Sequence, residues 1–173
     1  MQTRVNRLEN AVAFLDAKPG LRCVMKNIVA LVDFSDLTPK VLDRTAEQAK
    51  AFDARAILLH IVPEHGVPAD SSFASPVVMA PAAPETIKRD YERLISLRDA
   101  LTQKDVNVLV EQITEGTVEK VIGECRKWKA DLIVVGSHHH STIYNWFVGS
   151  YTADVLKAAF CPVLVVPADE AAV

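Results

Sequence analysis

Cysteine is scarce in this 173-residue chain: Cys23, Cys125 and Cys161 are all there is. The number is odd and no C-x-x-C spacing exists. That excludes a disulfide framework and a cysteine zinc site, and it points to a reducing cytoplasm. Cys161, beside Pro162, reads as a small buried hydrophobe at a strand entrance. Long apolar runs are missing too, none approaching the roughly 18 residues that a spanning helix needs, so no membrane partner is expected. Residues 1–24 lack the layout of a signal peptide, because Arg4, Arg7, Glu9, Asp16 and Lys18 interrupt them before an apolar core forms. Positive charge is not in excess either. The formal net charge is −3 and the basic residues are scattered, which argues against a nucleic-acid partner.

Catalytic signatures are equally thin. There is no G-x-S-x-G elbow, no G-x-x-x-x-G-K-[ST] loop and no early G-x-G-x-x-G, so neither a P-loop ATPase nor an ordinary dinucleotide oxidoreductase is supported. Ser137 and His138 are sequence neighbours, not a nucleophile held by a base and an orienter. His138, His139 and His140 invite a metal, but consecutive residues do not ordinarily converge on one ion and no nearby carboxylate or cysteine completes a set. No catalytic residue and no metal ligand is assigned. Beside a phosphate these histidines would serve as donors titrating near neutrality.

What is present is an alternation of strands and helices. The length suits one domain with a sizeable core. Val5, Leu8, Val12 and Leu15 make an amphipathic helical stripe that Pro19-Gly20 ends, so residues 1–24 form a helical extension upstream of a domain spanning 25–168, with 169–173 as a tail. Ile28–Val32 is an apolar strand. Thr38-Pro39 reads as an N-cap followed by proline at the first helical position, opening a helix to Phe52 whose inner face is Val41, Leu42, Ala46 and Ala49. Ala56–Val62 is the second strand, and the pair with its helix forms a βαβ unit.

Residues 63–84 carry five prolines (63, 68, 76, 81 and 84), which excludes a regular element apart from a short apolar segment after Pro76. A loop of that length is a lid, a partner contact or a disordered excursion. A helix resumes over 85–103, with the stripe Ile87, Tyr91, Leu94, Ile95, Leu97 and Leu101 toward the core. Val106–Ile113 is a third strand, Thr117–Lys127 a helix, Leu132–Val135 the fourth strand, Tyr151–Phe160 a helix and Val163–Val166 the fifth strand. The alternation predicts an α/β fold, an open five-stranded parallel sheet with helices on both faces, Rossmann-like, and the order taken for it is 3-2-1-4-5. Ligands in such sheets bind beyond the carboxyl ends of the strands at the switch in strand order, here between the strands ending at Asp33 and at Gly136.

Both ends carry suggestive residues. The fourth strand stops at Gly136-Ser137, and Gly149-Ser150 precedes the next helix. Glycine allows close backbone approach to an anion, and a helix N-terminus offers N–H groups and a positive dipole end; a plain turn and helix cap is the alternative. Asp33 would accept hydrogen bonds from a ligand or close an Asx-turn to Ser35 or Asp36, and both roles are compatible.

From Met25 to Pro167 the chain resembles the universal stress protein family. The resemblance lies in Val32-Asp33-Phe34-Ser35, Leu58-Leu59-His60-Ile61-Val62, Val135-Gly136-Ser137-His138, Gly149-Ser150 and Cys161-Pro162-Val163-Leu164-Val165-Val166. Nucleotide-binding members carry G-x-x-G, nine residues, then G-[ST]. Here Gly136 and Gly149-Ser150 keep the spacing, and His139 stands in place of the second glycine. The resemblance implies ATP or another adenine nucleotide, with or without magnesium. Asp33 would meet the ribose, the Ile61 backbone the adenine, Gly136 the ribose-phosphate region, and Gly149, Ser150 and Thr152 the phosphates; Ser137, His139 and Tyr151 complete the set. His139 would narrow the cradle, or replace a backbone donor with a side-chain one.

The family pairs protomers through its last strand, so a homodimer through Val163, Leu164, Val165 and Val166 is implied, and an apolar edge strand favours the same outcome. The expectation is a cytoplasmic stress-response sensor or regulator with slow turnover at most. The alternative is a nucleotide-independent dimeric interaction protein, engaging a protein partner of unknown identity, that has lost ATP through His139.

Overall fold

The computed structural model describes residues 25–62, 65–68, 77–114, 116–137 and 150–168. Parallel strands β1 (Asn27–Val32), β2 (Arg55–Ile61), β5 (Val108–Ile113), β6 (Leu132–Ser137) and β7 (Val163–Pro167) form one sheet in the order β5-β2-β1-β6-β7. Renumbered among themselves these strands run 3-2-1-4-5, the expected order. Helices α1 (Thr38–Phe52) and α2 (Pro84–Thr102) cover one face, and α3 (Val118–Lys127) and α4 (Ser150–Ala158) the other. β1 is buried along its whole length, as a central parallel strand must be when helices cover both faces. Its alternate residues feed two cores. Ile28, Ala30 and Val32 pack with Val41, Leu42, Ala46, Leu94 and Leu101, whereas Val29 and Leu31 pack with Val121, Ile122, Cys125 and Val155.

Four expectations are revised. Residues 63–84 contain a small antiparallel pair, β3 (His65–Pro68) and β4 (Val77–Ala80). The prolines permit it because Pro68 ends its strand and Pro81 lies just past the other, leaving the interior N–H groups intact. β6 does not stop before Gly136-Ser137: its pairing with β7 continues through Gly136↔Val166 and Ser137↔Pro167. Leu37, not Thr38, is the N-cap of α1; Thr38 is the first helical residue and its hydroxyl donates to Asp33. On α2, Tyr91 is exposed and Asp90 is buried instead. Residues 1–24 and 169–173 lie outside the described residues.

No helix among the described residues is long and apolar enough to cross a membrane.

Candidate functional site

The sheet opens along one line. At its amino end β1 is tied to β6: Asp131 Oδ2 accepts the N–H groups of Lys26 and Asn27 at 2.8 and 3.0 Å, and Asp131 N donates to Asn27 O at 2.8 Å. The β1·β6 ladder then ends at Ala30↔Val134. Each of these strands stays paired with its outer neighbour well beyond that point, β1 with β2 to Val32↔His60 and β6 with β7 to Ser137↔Pro167. The two halves of the sheet therefore part over Leu31–Asp33 and Val135–Ser137. This is the switch in strand order, where α/β sheets bind ligands.

Asp33 stands at one lip, half-buried. Its Oδ1 accepts from Ser35 N at 3.0 Å, Ser35 Oγ at 2.6 Å and Thr38 Oγ1 at 3.2 Å. The Asx-turn is thus present, and it orients the carboxylate instead of leaving it to swing. The next residue, Phe34, has φ of 58°, a left-handed backbone that a bulky side chain rarely adopts. Contacts hold it there: its ring centroid lies 4.2 Å from that of His60, and the Arg93 guanidinium lies over the same ring, 4.2 Å from its centroid.

At the opposite lip, Gly136 receives two helix starts. Leu37, at the head of α1, packs against its Cα, and Thr152 in the first turn of α4 donates its hydroxyl to Gly136 O at 3.3 Å. The positive ends of both helix dipoles consequently lie near the lip. Lys40, also in the first turn of α1, reaches Pro167 O at 2.9 Å and brings a cation to the end of β7. Thr152 is buried, so its side chain serves α4 docking and leaves its N–H as the group available to a ligand. Tyr151 is buried in the core beside Val155, where burial pushes its phenol well above the ordinary range. Ile61 ends β2, adjacent to the end of β1. Ser137 is the last residue of β6, and Ser150 begins α4. His139 and Gly149, with the rest of 138–149, lie outside the described residues. Among the described residues, no group of His, Cys, Asp or Glu could hold a metal ion.

The ends of β1, β2 and β6 therefore bring Asp33, Ile61, Gly136 and Ser137 to one side of the sheet. The arrangement offers an oriented carboxylate on one lip and the positive ends of two helices on the other. Such a pair suits a ligand with hydroxyls at one end and an anion at the other.

The model of the universal stress protein family matches residues 25–167. The chain belongs to the universal stress protein family. A universal stress protein A homologue of Coxiella burnetii is 30% identical over 146 residues, covering 82% of this chain and 95% of its own. Among solved structures, a universal stress protein in complex with cAMP superposes with a TM-score of 0.60 at 22% identity, covering 83% of this chain and 98% of that one. A universal stress protein of Archaeoglobus fulgidus in complex with dAMP gives a TM-score of 0.58 at 21% identity, covering 82% and 98%. The fold of this universal stress protein is thus shared with both.

Sequence reasoning missed Leu37, Lys40, Phe34 as a strained residue, and the buried pair His60 and Asp90. A signal for Asp90 existed. It falls at helical spacing with Leu94, Leu97 and Leu101, and an acid in such a stripe needs a partner inside the fold.

Proposed function

We propose that this universal stress protein binds an adenine nucleotide, ATP or a relative of it, in the split between β1 and β6. The carrying observation is the split itself: the β1·β6 ladder ends at Ala30 and Val134 while both flanking ladders continue, and two helix starts meet Gly136 at its lip. Solved proteins of this fold hold cAMP and dAMP, which supports the choice of ligand. Asp33 would accept from the ribose hydroxyls, the Ile61 backbone would meet the adenine, and Gly136 with Ser137 would border the ribose-phosphate region. Gly149, Ser150 and the N–H groups of Tyr151 and Thr152 would take the phosphates, with His139 at the edge of the cradle. Magnesium, if it takes part, would be carried on the phosphates.

In this reading the domain, residues 25–168, acts in the cytoplasm as a sensor or regulator with slow turnover at most. The test is the nucleotide content of the purified chain, followed by calorimetric titration with ATP and magnesium. Stoichiometric adenine nucleotide, or a Kd below about 100 µM, supports the site. A chain that arrives empty and ignores millimolar ATP overturns it.

A second reading rests on the edge of the sheet. β7 is the terminal strand, and its Val163, Leu164 and Val165 are half-buried. A second copy pairing along this edge would cover it and give a homodimer that can act without nucleotide. Light scattering on a size-exclusion column distinguishes dimer from monomer, and a monomer at micromolar concentration would sink this reading.

A further inference from the structure

His60 is 3% exposed at the end of β2, and its role is not explained by core packing. Its Nδ1 lies 2.7 Å from Val32 O, so Nδ1 carries the hydrogen and donates to that carbonyl. Its ring also lies against the ring of Phe34. Val32 and Phe34 are the two residues that flank Asp33. One imidazole thus grips the chain on both sides of the carboxylate at the lip of the split, including the peptide that leads into the strained φ of Phe34.

The other ring nitrogen is orphaned. Nε2 is fully buried, makes no hydrogen bond, and faces Asp90 Oδ2 at 3.7 Å. With the hydrogen on Nδ1, a lone pair points toward a carboxylate oxygen, and the two repel. A proton on Nε2 reverses the sign of that contact and lets the pair close to hydrogen-bond distance. Asp90 is itself held from the far side by Arg89 Nε at 3.2 Å.

We propose that His60 positions Asp33, and that a proton taken up on its Nε2, opposite Asp90, tightens this hold and with it the affinity of the split for an anionic nucleotide. The last step rests on the nucleotide reading above; the positioning does not. The direction follows from charge. The proton moves from solvent to Nε2, no other bond breaks, and the imidazolium adds a positive charge behind the lip that anionic phosphates favour. By linkage, nucleotide binding favours the proton in return. Among the described residues, Asp90, Arg89 and Arg93 on α2 and Asp33 past β1 are the charged groups around His60. β5 presents the uncharged Gln112 at the paired position, and its neighbour Glu111 is matched with Lys127 at 3.8 Å. Burial holds His60 below the ordinary histidine range against the opposing pulls of Val32 O, Asp90 and Asp33, so the proton arrives on the acid side of neutrality.

The experiment is an NMR titration of the uniformly 15N-labelled full chain from about pH 7.5 to about pH 5, paired with calorimetric titration of cAMP across the same range. The phosphodiester of cAMP keeps its charge throughout, so the ligand does not titrate. The amide signals of Asp33 and Phe34 are expected to move with the midpoint of the His60 ring, and cAMP to bind about three- to tenfold tighter at the acid end. His60→Asn, which keeps a donor for Val32 O but has no proton to gain, removes both responses. Asp90→Asn, whose amide can donate to Nε2 at any pH, keeps the neutral affinity and flattens the pH dependence. If the His60 ring titrates while the Asp33 and Phe34 amides stay still, or if those amides move equally in His60→Asn, the positioning role is overturned whatever the nucleotide does. Amides that follow His60 with cAMP affinity constant across the range overturn the link to binding. Amides that follow His60 in a chain that binds neither cAMP nor ATP at any pH leave the positioning standing and sink the nucleotide reading.

Discussion

Leu37 Cδ2 lies 2.8 Å from where a β-carbon on Gly136 would fall, and Leu37 Cγ and Val41 Cγ2 lie at 3.4 Å. A β-carbon at 136 therefore obliges the buried Leu37 side chain of α1 to shift, before any ligand is considered. Gly136→Ala should cost about 1–3 kcal/mol in a denaturant melt, the usual range for overpacking. Leu37→Ala in the same chain removes the obstructing atoms, so the double variant should lose less than the sum of the singles. Strict additivity would show that Gly136 is not held by this contact.

Asp33 has two roles that substitution can separate. Alanine loses the bonds from Ser35 N, Ser35 Oγ and Thr38 Oγ1, and Asp33→Ala should lower stability by about 1–2 kcal/mol as well as nucleotide affinity by at least about tenfold. Asn keeps an acceptor for the turn but gives up the charge. Asp33→Asn should melt within about 0.5 kcal/mol of the parent and still bind nucleotide more weakly. An Asn variant with parental affinity would confine Asp33 to the turn.

How far the sequence revealed these features depends on the range of the interaction. The parallel sheet was legible because each strand is a short, nearly continuous apolar run between helical stripes, and the βαβ rule gives the hand of each crossover. Asp33, Gly136 and Ser137 were legible because a carboxylate or glycine ending an apolar strand is conspicuous. The contact of Leu37 with Gly136 was not, since it joins residues far apart in the chain through packing detail that no local pattern encodes. The exchange of Tyr91 for Asp90 on the buried face of α2 failed for a related reason. An apolar stripe says which face turns inward, but no local pattern says that an acid at 90 faces His60 on β2 and is held by Arg89. The hairpin β3–β4 was obscured because a count of prolines ignores that Pro68 and Pro81 fall where strand hydrogen bonds already end.

Thr152 is 5% exposed and its hydroxyl is spent on Gly136 O. Thr152→Val, close to isosteric, should destabilise the chain by about 1 kcal/mol through loss of that bond. Affinity for ATP should fall by less than about fivefold, because the main-chain N–H stays in the first turn of α4. A loss of fiftyfold or more would mean that the hydroxyl turns to the ligand on binding.

The thiols should differ in reactivity. Cys125 is fully buried, and burial pushes its pKa up to about 12. Cys161 is half-buried, with its thiol also raised by burial. Iodoacetamide at about pH 8 should leave Cys125 unmodified until the chain unfolds and label Cys161 slowly, with peptide mapping separating both from Cys23. Labelling of Cys125 in the native chain at the rate of a free thiol would contradict the packing around α3.

Acid should weaken the fold through His60 even as it tightens the nucleotide. Burial lowers the folded-state pKa of His60 below its unfolded value of about 6.5. Below that value the unfolded chain binds the proton more readily than the folded one. The stability that neutral His60 contributes is therefore complete above about pH 6.5 and is lost as pH falls toward the lower folded value. Urea midpoints at about pH 7.5 and about pH 5 should show the loss, with the slope m unchanged. Other carboxylates titrate near the acid end, so the decisive quantity is the difference between the parent and His60→Gln. The Gln variant, with no titrating ring, should lose less of its midpoint on acidification. An equal loss in both chains would place the acid sensitivity elsewhere and leave the buried His60–Asp90 contact without a part in it.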